Sequence, residues 1–578
     1  MSVMPLRLGG LGLSALLAAS GAAWAQGDEG FLDPEAAPEE SGAGEDESGE
    51  LRGTLTSTTF AARELSGEAT PVRDGVEAPH ESTATRLFTD FRARLDHDEL
   101  AGMDVHADLR LRVTDSEFAA VWDQIRDEER SRPTLQSGVF GGPEYDIRQL
   151  YATREGGTTD LRFGRQIVGE LAATRIDGLR LTHRASESWD YLGFAGLYPA
   201  RSSRSITTDY VRAVEGFDPD TRDPELGSVV LPVAAGAGTA YRYDRAYGSL
   251  GVVGIAPLAE DRATGEIETP RIFATSSGYW RQSLALDVFH HAVFDGMGAA
   301  GAGLTNLHLG ANARPSEHLR VSASVTRVDT ETLNVVAQRR LRDRVDVEGT
   351  DGGLIQNYLQ VARIAQESAR LGVSTALSER RYELSTIATL RRRPEVELEE
   401  RPGACDPDQQ GELACVVVPA AQAADVTLQA VDRRAFWGMR LQASLTEMFG
   451  LGENNLNRGR SRIFRVKGSR PFADGQGTFE LSASYLNSAD EYRGDACLTS
   501  TPGVLEDLSR CYGTSALHAG TLGGLAFYRI NGSWMALGGL ELGLQRQTTV
   551  RQADDDLVDA NQPPILLTSA FGRVAYRF

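Results

Sequence analysis

Residues 103–113 read Met103-Asp104-Val105-His106-Ala107-Asp108-Leu109-Arg110-Leu111-Arg112-Val113. Val105, Ala107, Leu109, Leu111 and Val113 are apolar, and every residue between them is charged or an imidazole. A period of two belongs to a β-strand, whose successive side chains leave opposite faces of the ribbon. This segment therefore has one greasy face and one ionic face. Thr89, Phe91, Ala93 and Leu95 alternate in the same way with Asp90, Arg92 and Arg94; so do Val321, Ala323 and Val325 with their polar neighbours, and Phe479, Leu481, Ala483 and Tyr485 with theirs. After residue 50 no stretch approaches the ~20 apolar residues that a membrane helix needs. Alternating segments of about ten residues are instead the pattern of a transmembrane β-barrel. A soluble solenoid or sandwich is also built of alternating strands. The connections, the leader and the chain end favour the barrel.

If Phe578 lies on the inner side of the membrane, the connections must alternate between outside and inside walking backwards. Residues 548–565 make a long outer loop, Asn531-Gly532 a tight inner hairpin, residues 489–516 an outer loop, and Pro471 to Gly475 an inner turn. Long and short keep step to the amino end, through outer segments at 394–420, 330–368, 200–235, 167–175 and 115–144. The reckoning gives 22 strands, and the expectation is an all-β, antiparallel transmembrane barrel with an even number of strands between 18 and 22 and long extracellular loops. The chain ends Val574-Ala575-Tyr576-Arg577-Phe578, with Val574, Tyr576 and Phe578 on one face. A last strand of this kind resembles the sorting signal of bacterial outer-membrane barrels. The resemblance implies insertion by the barrel-assembly machinery of a Gram-negative outer membrane, with its lipid and lipopolysaccharide as surroundings.

Residues 1–25 read as a secretory signal peptide: Arg7, an apolar core from Leu8 to Ala23, and a small-x-small site at Ala23-Trp24-Ala25. Residues 26–50 hold ten acidic and no basic residues and are expected to be a disordered periplasmic tail, with too little apolar surface to offset chain entropy. The barrel is expected over 51–578. The chain as a whole carries −22, which excludes a nucleic-acid binder with a basic face. Most of the excess acid falls in the tail and the outer loops, so the strands and short turns are mildly basic. Among 59 basic residues only Lys467 is a lysine, and no Gly-Lys-Ser or Gly-Lys-Thr exists to form a Walker-type phosphate loop. The four cysteines fall as two close pairs in two outer loops. In an oxidising compartment the expectation is two local disulfides, Cys405 with Cys415 and Cys497 with Cys511. Residues 116–130 and 353–365 show helical spacing within outer loops; either could fold inward or lie at the mouth. No catalytic residues, metal ligands or cofactor are expected: there is no Gly-x-Ser-x-Gly elbow and no His-Glu-x-x-His helix, and the strand neighbours His290 and His291 face opposite ways.

The polar positions of the strands are rich in arginine. Arg92, Arg94, Arg110, Arg112, Arg148, Arg162 and Arg180 are candidates to line the lumen, with Asp90, Asp104, Asp108 and Asp160 among them. Two readings stand. The charges form a path for polar solute and set its charge preference, or they pair across strands and brace a wide barrel.

Leu161-Arg162-Phe163-Gly164-Arg165-Gln166 is followed by Arg175-Ile176-Asp177-Gly178-Leu179-Arg180-Leu181. A strand ending Gly-Arg-Gln, a short loop and an Asp-Gly-hydrophobic-Arg-hydrophobic strand together resemble the alginate-export and carbohydrate-porin barrels. The likeness covers some 25 residues. It implies passage of a sugar or polysaccharide through an arginine-lined lumen, with Arg162, Arg165 and Arg180 foremost. Any periplasmic export apparatus would then be a separate protein. The functional expectation is an outer-membrane channel for a polar, anionic carbohydrate polymer. The alternatives are a general diffusion porin and an adhesion or structural barrel with binding loops.

Overall fold

Strands Leu51–Ser66 (β1) and Ile565–Arg577 (β22) lie side by side, antiparallel, from Thr54 opposite Arg577 to Ser66 opposite Ile565. That seam closes a sheet in which every other neighbour is also a sequence neighbour. In this computed structural model the described residues are 51–66, 82–100, 103–115, 144–199, 212–217, 224–229, 232–256, 270–283, 285–297, 302–329, 365–399, 415–418, 420–451, 459–491, 512–553, 556–559 and 564–578. They form a closed antiparallel barrel of 22 strands.

The strands after β1 are Ser82–Leu100 (β2), Met103–Asp115 (β3), Glu144–Gly156 (β4), Thr159–Val168 (β5), Thr174–Arg184 (β6), Trp189–Leu197 (β7), Val233–Tyr243 (β8), Ala246–Ala256 (β9), Arg271–Ser283 (β10) and Leu286–Met297 (β11). They continue with Gly303–Ala313 (β12), Leu319–Asp329 (β13), Ala365–Leu377 (β14), Tyr382–Arg393 (β15), Ala421–Asp432 (β16), Arg440–Leu451 (β17), Arg460–Phe472 (β18), Gly477–Glu491 (β19), Tyr512–Arg529 (β20), Trp534–Ala553 (β21) and then β22. Two small two-stranded pieces stand apart from the barrel ladder, Arg212–Phe217 with Pro224–Val229 and Val396–Glu399 with Cys415–Val418. A short strand, Asp556–Asp559, extends the ladder of β21 beyond the wall. Residues 1–50, the helical-pattern segments 116–130 and 353–364, and Cys405, Cys497 and Cys511 lie outside the described residues; Cys415 opens one of the small strands.

Alternation decides which face is which. On β9, Leu250 and Val252 are more than half exposed while Ser249, Gly251 and Val253 are covered. Leu55, Phe91, Leu111, Leu371, Leu428, Leu522 and Leu540 extend the exposed apolar band round the barrel. This is the face that hydrocarbon can wet. Aromatic pairs mark its short-turn edge: Trp189 lies 4.9 Å from Tyr241, and Trp534 4.6 Å from Tyr576. Such rings, apolar in body and polar at one tip, settle at membrane–water interfaces. Phe578 exchanges backbone hydrogen bonds with Gly53, each 3.1 Å long, so Val574, Tyr576 and Phe578 belong to the strand that completes the barrel.

One sector of the wall is closely packed. Gly164 on β5 stands opposite Gly178 on β6, which stands opposite Gly196 on β7. Gly164 has φ +124°, and a Cβ there would lie 2.3 Å from the carbonyl oxygen of Leu150. A Cβ on Gly178 would lie 2.2 Å from the carbonyl oxygen of Ala195. Three strands approach so closely that only hydrogen fits between them. Gly178→Val should therefore lower folding stability by about 2–3 kcal/mol, measured as the urea midpoint for folding into lipid vesicles. Gly572→Ala, where a Cβ meets nothing within 4 Å, should stay within about 0.5 kcal/mol of the parent.

Candidate functional site: the barrel interior

The connection between β5 and β6, Gly169 to Ala173, is five residues long and belongs to the long-loop end. Above the glycine row it turns into the barrel. Leu171 is wholly buried and its Cδ2 lies where Cβ atoms of Gly238 and Gly251 would have to be. Those glycines are on β8 and β9, and β7 stands between them and the hairpin, so the contact is made across the interior. The Ser249 hydroxyl donates to the carbonyl oxygen of Glu170 at 2.8 Å, and Arg180 Nη2 donates to the Glu170 carboxylate at 2.8 Å. Burial pushes the Glu170 carboxyl up, but the Arg180 guanidinium and a hydrogen bond from its own backbone N–H outweigh this and leave it below the ordinary carboxylate range. Ala172 and Ala173 adopt left-handed φ of 54° and 51° to make the turn. Under the tip, Val168, Leu171, Ile176, Leu192, Phe194, Val253 and Phe273 form an apolar core, so one sector of the interior is dry and filled.

The sequence candidates sort by ladder register. Arg92 and Arg110 stand directly opposite each other on β2 and β3. Two like charges so placed repel, and each is turned onto a diagonal acid. Arg92 binds Asp108 through Nε at 2.9 Å and Nη2 at 2.7 Å, and Arg110 binds Asp90. Arg94 Nε lies 3.7 Å from Asp108 Oδ2, and Arg148, at a bulge in the β3–β4 ladder, adds its field to the same carboxylate. Arg112 is opposite Asp90 in the ladder.

Arg162 and Arg180 are a second directly opposed pair, on β5 and β6. Arg162 turns to β4, donating to Thr153 Oγ1 at 3.2 Å with its guanidinium 4.5 Å from the Tyr151 ring centroid; Arg180 turns to Glu170. Arg165 is three residues from Arg162 and falls on the other ladder face. It is buried and holds Asp177 across the strand pair with two bonds of 2.7 and 2.6 Å, while Nη1 donates to the carbonyl oxygen of Ile147 at 3.1 Å. Beside it, Gln166 is fully buried and donates to the carbonyl oxygens of Arg162 and Gly178. In the Gly-Arg-Gln stretch the glycine admits the neighbouring backbone, and Arg165 and Gln166 tie the hairpin together.

The same pattern recurs beyond the sequence candidates. Arg271 pairs with Asp295 at 2.8 Å, both almost completely buried. Arg391 pairs with Asp425 at 2.9 Å and Lys467 with Glu480 at 2.7 Å. Between the ion pairs run cross-strand hydroxyl pairs: Ser249–Ser277 at 2.7 Å, Thr427–Thr446 at 2.9 Å, Ser461–Ser488 at 2.7 Å and Ser484–Thr521 at 2.6 Å. At the short-turn mouth Tyr247 stacks on Tyr279 with centroids 5.4 Å apart, and Arg281 donates to the Tyr279 hydroxyl at 2.9 Å. His291 and His308 are directly opposite on β11 and β12, while His290, on the reverse face, lies 2.9 Å from the Ser276 hydroxyl. Glu170, Ser249, Gly238 and Gly251 give little sign in the sequence: their roles depend on a contact between residues 79 apart in the chain.

No protein-family model matches the chain, and no curated protein matches it. Solved structures share its barrel architecture at low similarity. The siderophore receptor PirA from Acinetobacter baumannii is 9% identical, with 92% of this chain and 81% of that chain covered and a TM-score of 0.43. OccK8 (OprE) of Pseudomonas aeruginosa is 9% identical over 92% of this chain and 98% of that one, with a TM-score of 0.31. A bacterial polysaccharide outer membrane secretin is 12% identical over 68% of this chain and 98% of that one, with a TM-score of 0.26.

Proposed function

We propose that this barrel is an outer-membrane channel for polar, carbohydrate-type solute, with a polysaccharide leaving the cell as its cargo. The observation that carries this reading is the chemistry of the interior face. Among the described residues, many of its charges are held in cross-strand ion pairs and several of its hydroxyls in cross-strand pairs. Such a wall offers many hydrogen-bonding groups with much of its charge already paired. Conduction needs binding favourable enough for entry and weak enough for release, and a wall of pre-engaged donors and acceptors supplies weak, repeated contacts to a hydroxylated chain. Arg92, Arg94, Arg110, Arg112, Arg148, Arg162 and Arg180 are the proposed path residues. Arg165, held by Asp177, braces the hairpin that narrows the path. Pairing also tempers the preference for anionic cargo that a basic barrel suggests, because each engaged carboxylate cancels a guanidinium nearby. That favours a second reading, general diffusion of small polar solutes.

The two separate in the cell and in vesicles. Deleting the gene should abolish secreted polysaccharide while leaving uptake of small sugars unchanged; liposome swelling graded by solute size alone, with secretion intact in the deletion, supports the diffusion porin instead. Asp108→Asn removes the acid shared by Arg92 and Arg94 and should move the reversal potential in asymmetric KCl toward anion selectivity. An unmoved potential would take these arginines off the path. Leu171→Asp would bury a carboxylate in the apolar core under the tip, at a cost of several kcal/mol. The tip should leave the wall, and single-channel conductance in planar bilayers should rise with the barrel still folded.

A further inference from the structure

A charged side chain on the lipid face of a barrel is disfavoured at mid-membrane and tolerated near the interfaces. On the outer face of this barrel two groups of arginines each share one carboxylate, both near the long-connection ends of their strands. On β13, β14 and β15, Arg327 is opposite Glu367 and Glu367 opposite Arg392. Arg327 Nη1 lies 2.6 Å from one carboxylate oxygen and Arg392 Nη1 4.0 Å from the other. On β17 and β18, Arg460 and Arg462 both bind Glu447, with Arg462 Nε at 3.0 Å. One step down the same face are Val325, Leu390 and Phe464, each about half exposed and part of the apolar band.

Each group sets two guanidinium ions on one carboxylate, so each is net positive. A guanidinium has five N–H donors in a planar fork, and one carboxylate cannot engage two such forks. Arg392, Arg460 and Arg462 keep more than half of their side-chain surface open, and Arg327 keeps a third. We infer that these two Arg–Glu–Arg rows dock the phosphate groups of a phosphorylated glycolipid in the outer leaflet, its acyl chains lying on the aliphatic residues below. Guanidinium forks match phosphate oxygens two at a time. The central glutamate keeps each pair of arginines aligned and limits the net charge of the empty site. Two rows on one flank, with β16 between them, suit a lipid that carries more than one phosphate. The inference rests on the barrel's spanning the outer membrane with its long connections outward, and it is independent of what passes through the lumen.

The test is binding to the full chain in detergent micelles, read by native mass spectrometry, with bis-phosphorylated lipid A, the same glycolipid stripped of phosphate, and phosphatidylglycerol as probes. Bis-phosphorylated lipid A should bind saturably and at least tenfold tighter than the stripped glycolipid or phosphatidylglycerol. Arg327→Gln with Arg392→Gln, and separately Arg460→Gln with Arg462→Gln, should each weaken it severalfold. Glu367→Gln and Glu447→Gln should tighten it by freeing donors, a gain that a merely structural carboxylate would not produce. Heat-modifiable migration confirms that each variant is folded, and unchanged conductance separates this site from the channel. Equal binding of the stripped glycolipid or of phosphatidylglycerol, or undiminished binding in both double variants, overturns the proposal.

Discussion

Hydrocarbon offers no partner to a backbone N–H or C=O, and each unsatisfied group there costs several kcal/mol. Everything else in this structure is arranged under that constraint. A sheet of 22 strands has two edges, and it can cross a bilayer only if the edges meet. They meet where β1 takes β22, with thirteen residues of each strand in register and Phe578 bonded back to Gly53. Once closed, the ladder consumes its own donors and acceptors, and the side chains are free to differ completely between faces. The outward set is mostly apolar, with aromatic pairs at the short-turn edge and charges near the long-connection ends. The inward set carries ion pairs and hydroxyl pairs.

The ionic face then presents its own problem, since arginines fall directly opposite one another at Arg92/Arg110 and at Arg162/Arg180. Neither opposed pair is left to repel. In the first, both arginines reach diagonally to acids on the partner strand. In the second, one leaves for the neighbouring strand and the other for the inward-folded tip. Bracing and lining, which the sequence leaves as separate readings of the same arginines, thus coincide: the pairs that hold adjacent strands together also form the polar interior surface.

The period of two made the fold legible. It is a local signal, repeated in nearly every strand, and the alternation of long and short connections turns it into a strand count that matches the 22 of the barrel. Parity reaches further: Arg162 and Arg165 are three residues apart, so an unbulged strand cannot put both on one face, and the structure gives Arg165 to the hairpin clamp. What stayed illegible is non-local. Nothing near residues 169–173 announces that Leu171 will rest over Gly238 and Gly251, because those glycines matter only once β8 and β9 stand across the interior from the tip. The shared carboxylates of Glu367 and Glu447 are hidden for the same reason. Each lies on a different strand from at least one of its arginines, and the row exists only in the register of the folded sheet.

The inward tip also shows how the wall and its contents depend on each other. Five turn residues must be ordered, each at about 1–2 kcal/mol of backbone entropy, and burying one leucine returns only about 1.5–3 kcal/mol. Leu171 alone cannot hold the tip down. The Arg180–Glu170 pair and the Ser249 bond add to it, but the larger saving is in the approach of the hairpin, which the glycine row and the Arg165–Asp177 clamp fix before the tip is reached. The closely packed hairpin brings Gly169 to Ala173 within reach of β8 and β9, and the remaining cost is that of a short, constrained turn. The inward tip therefore rests on Leu171, the Arg180–Glu170 pair and the Ser249 bond acting together on a turn that its closely packed hairpin already constrains.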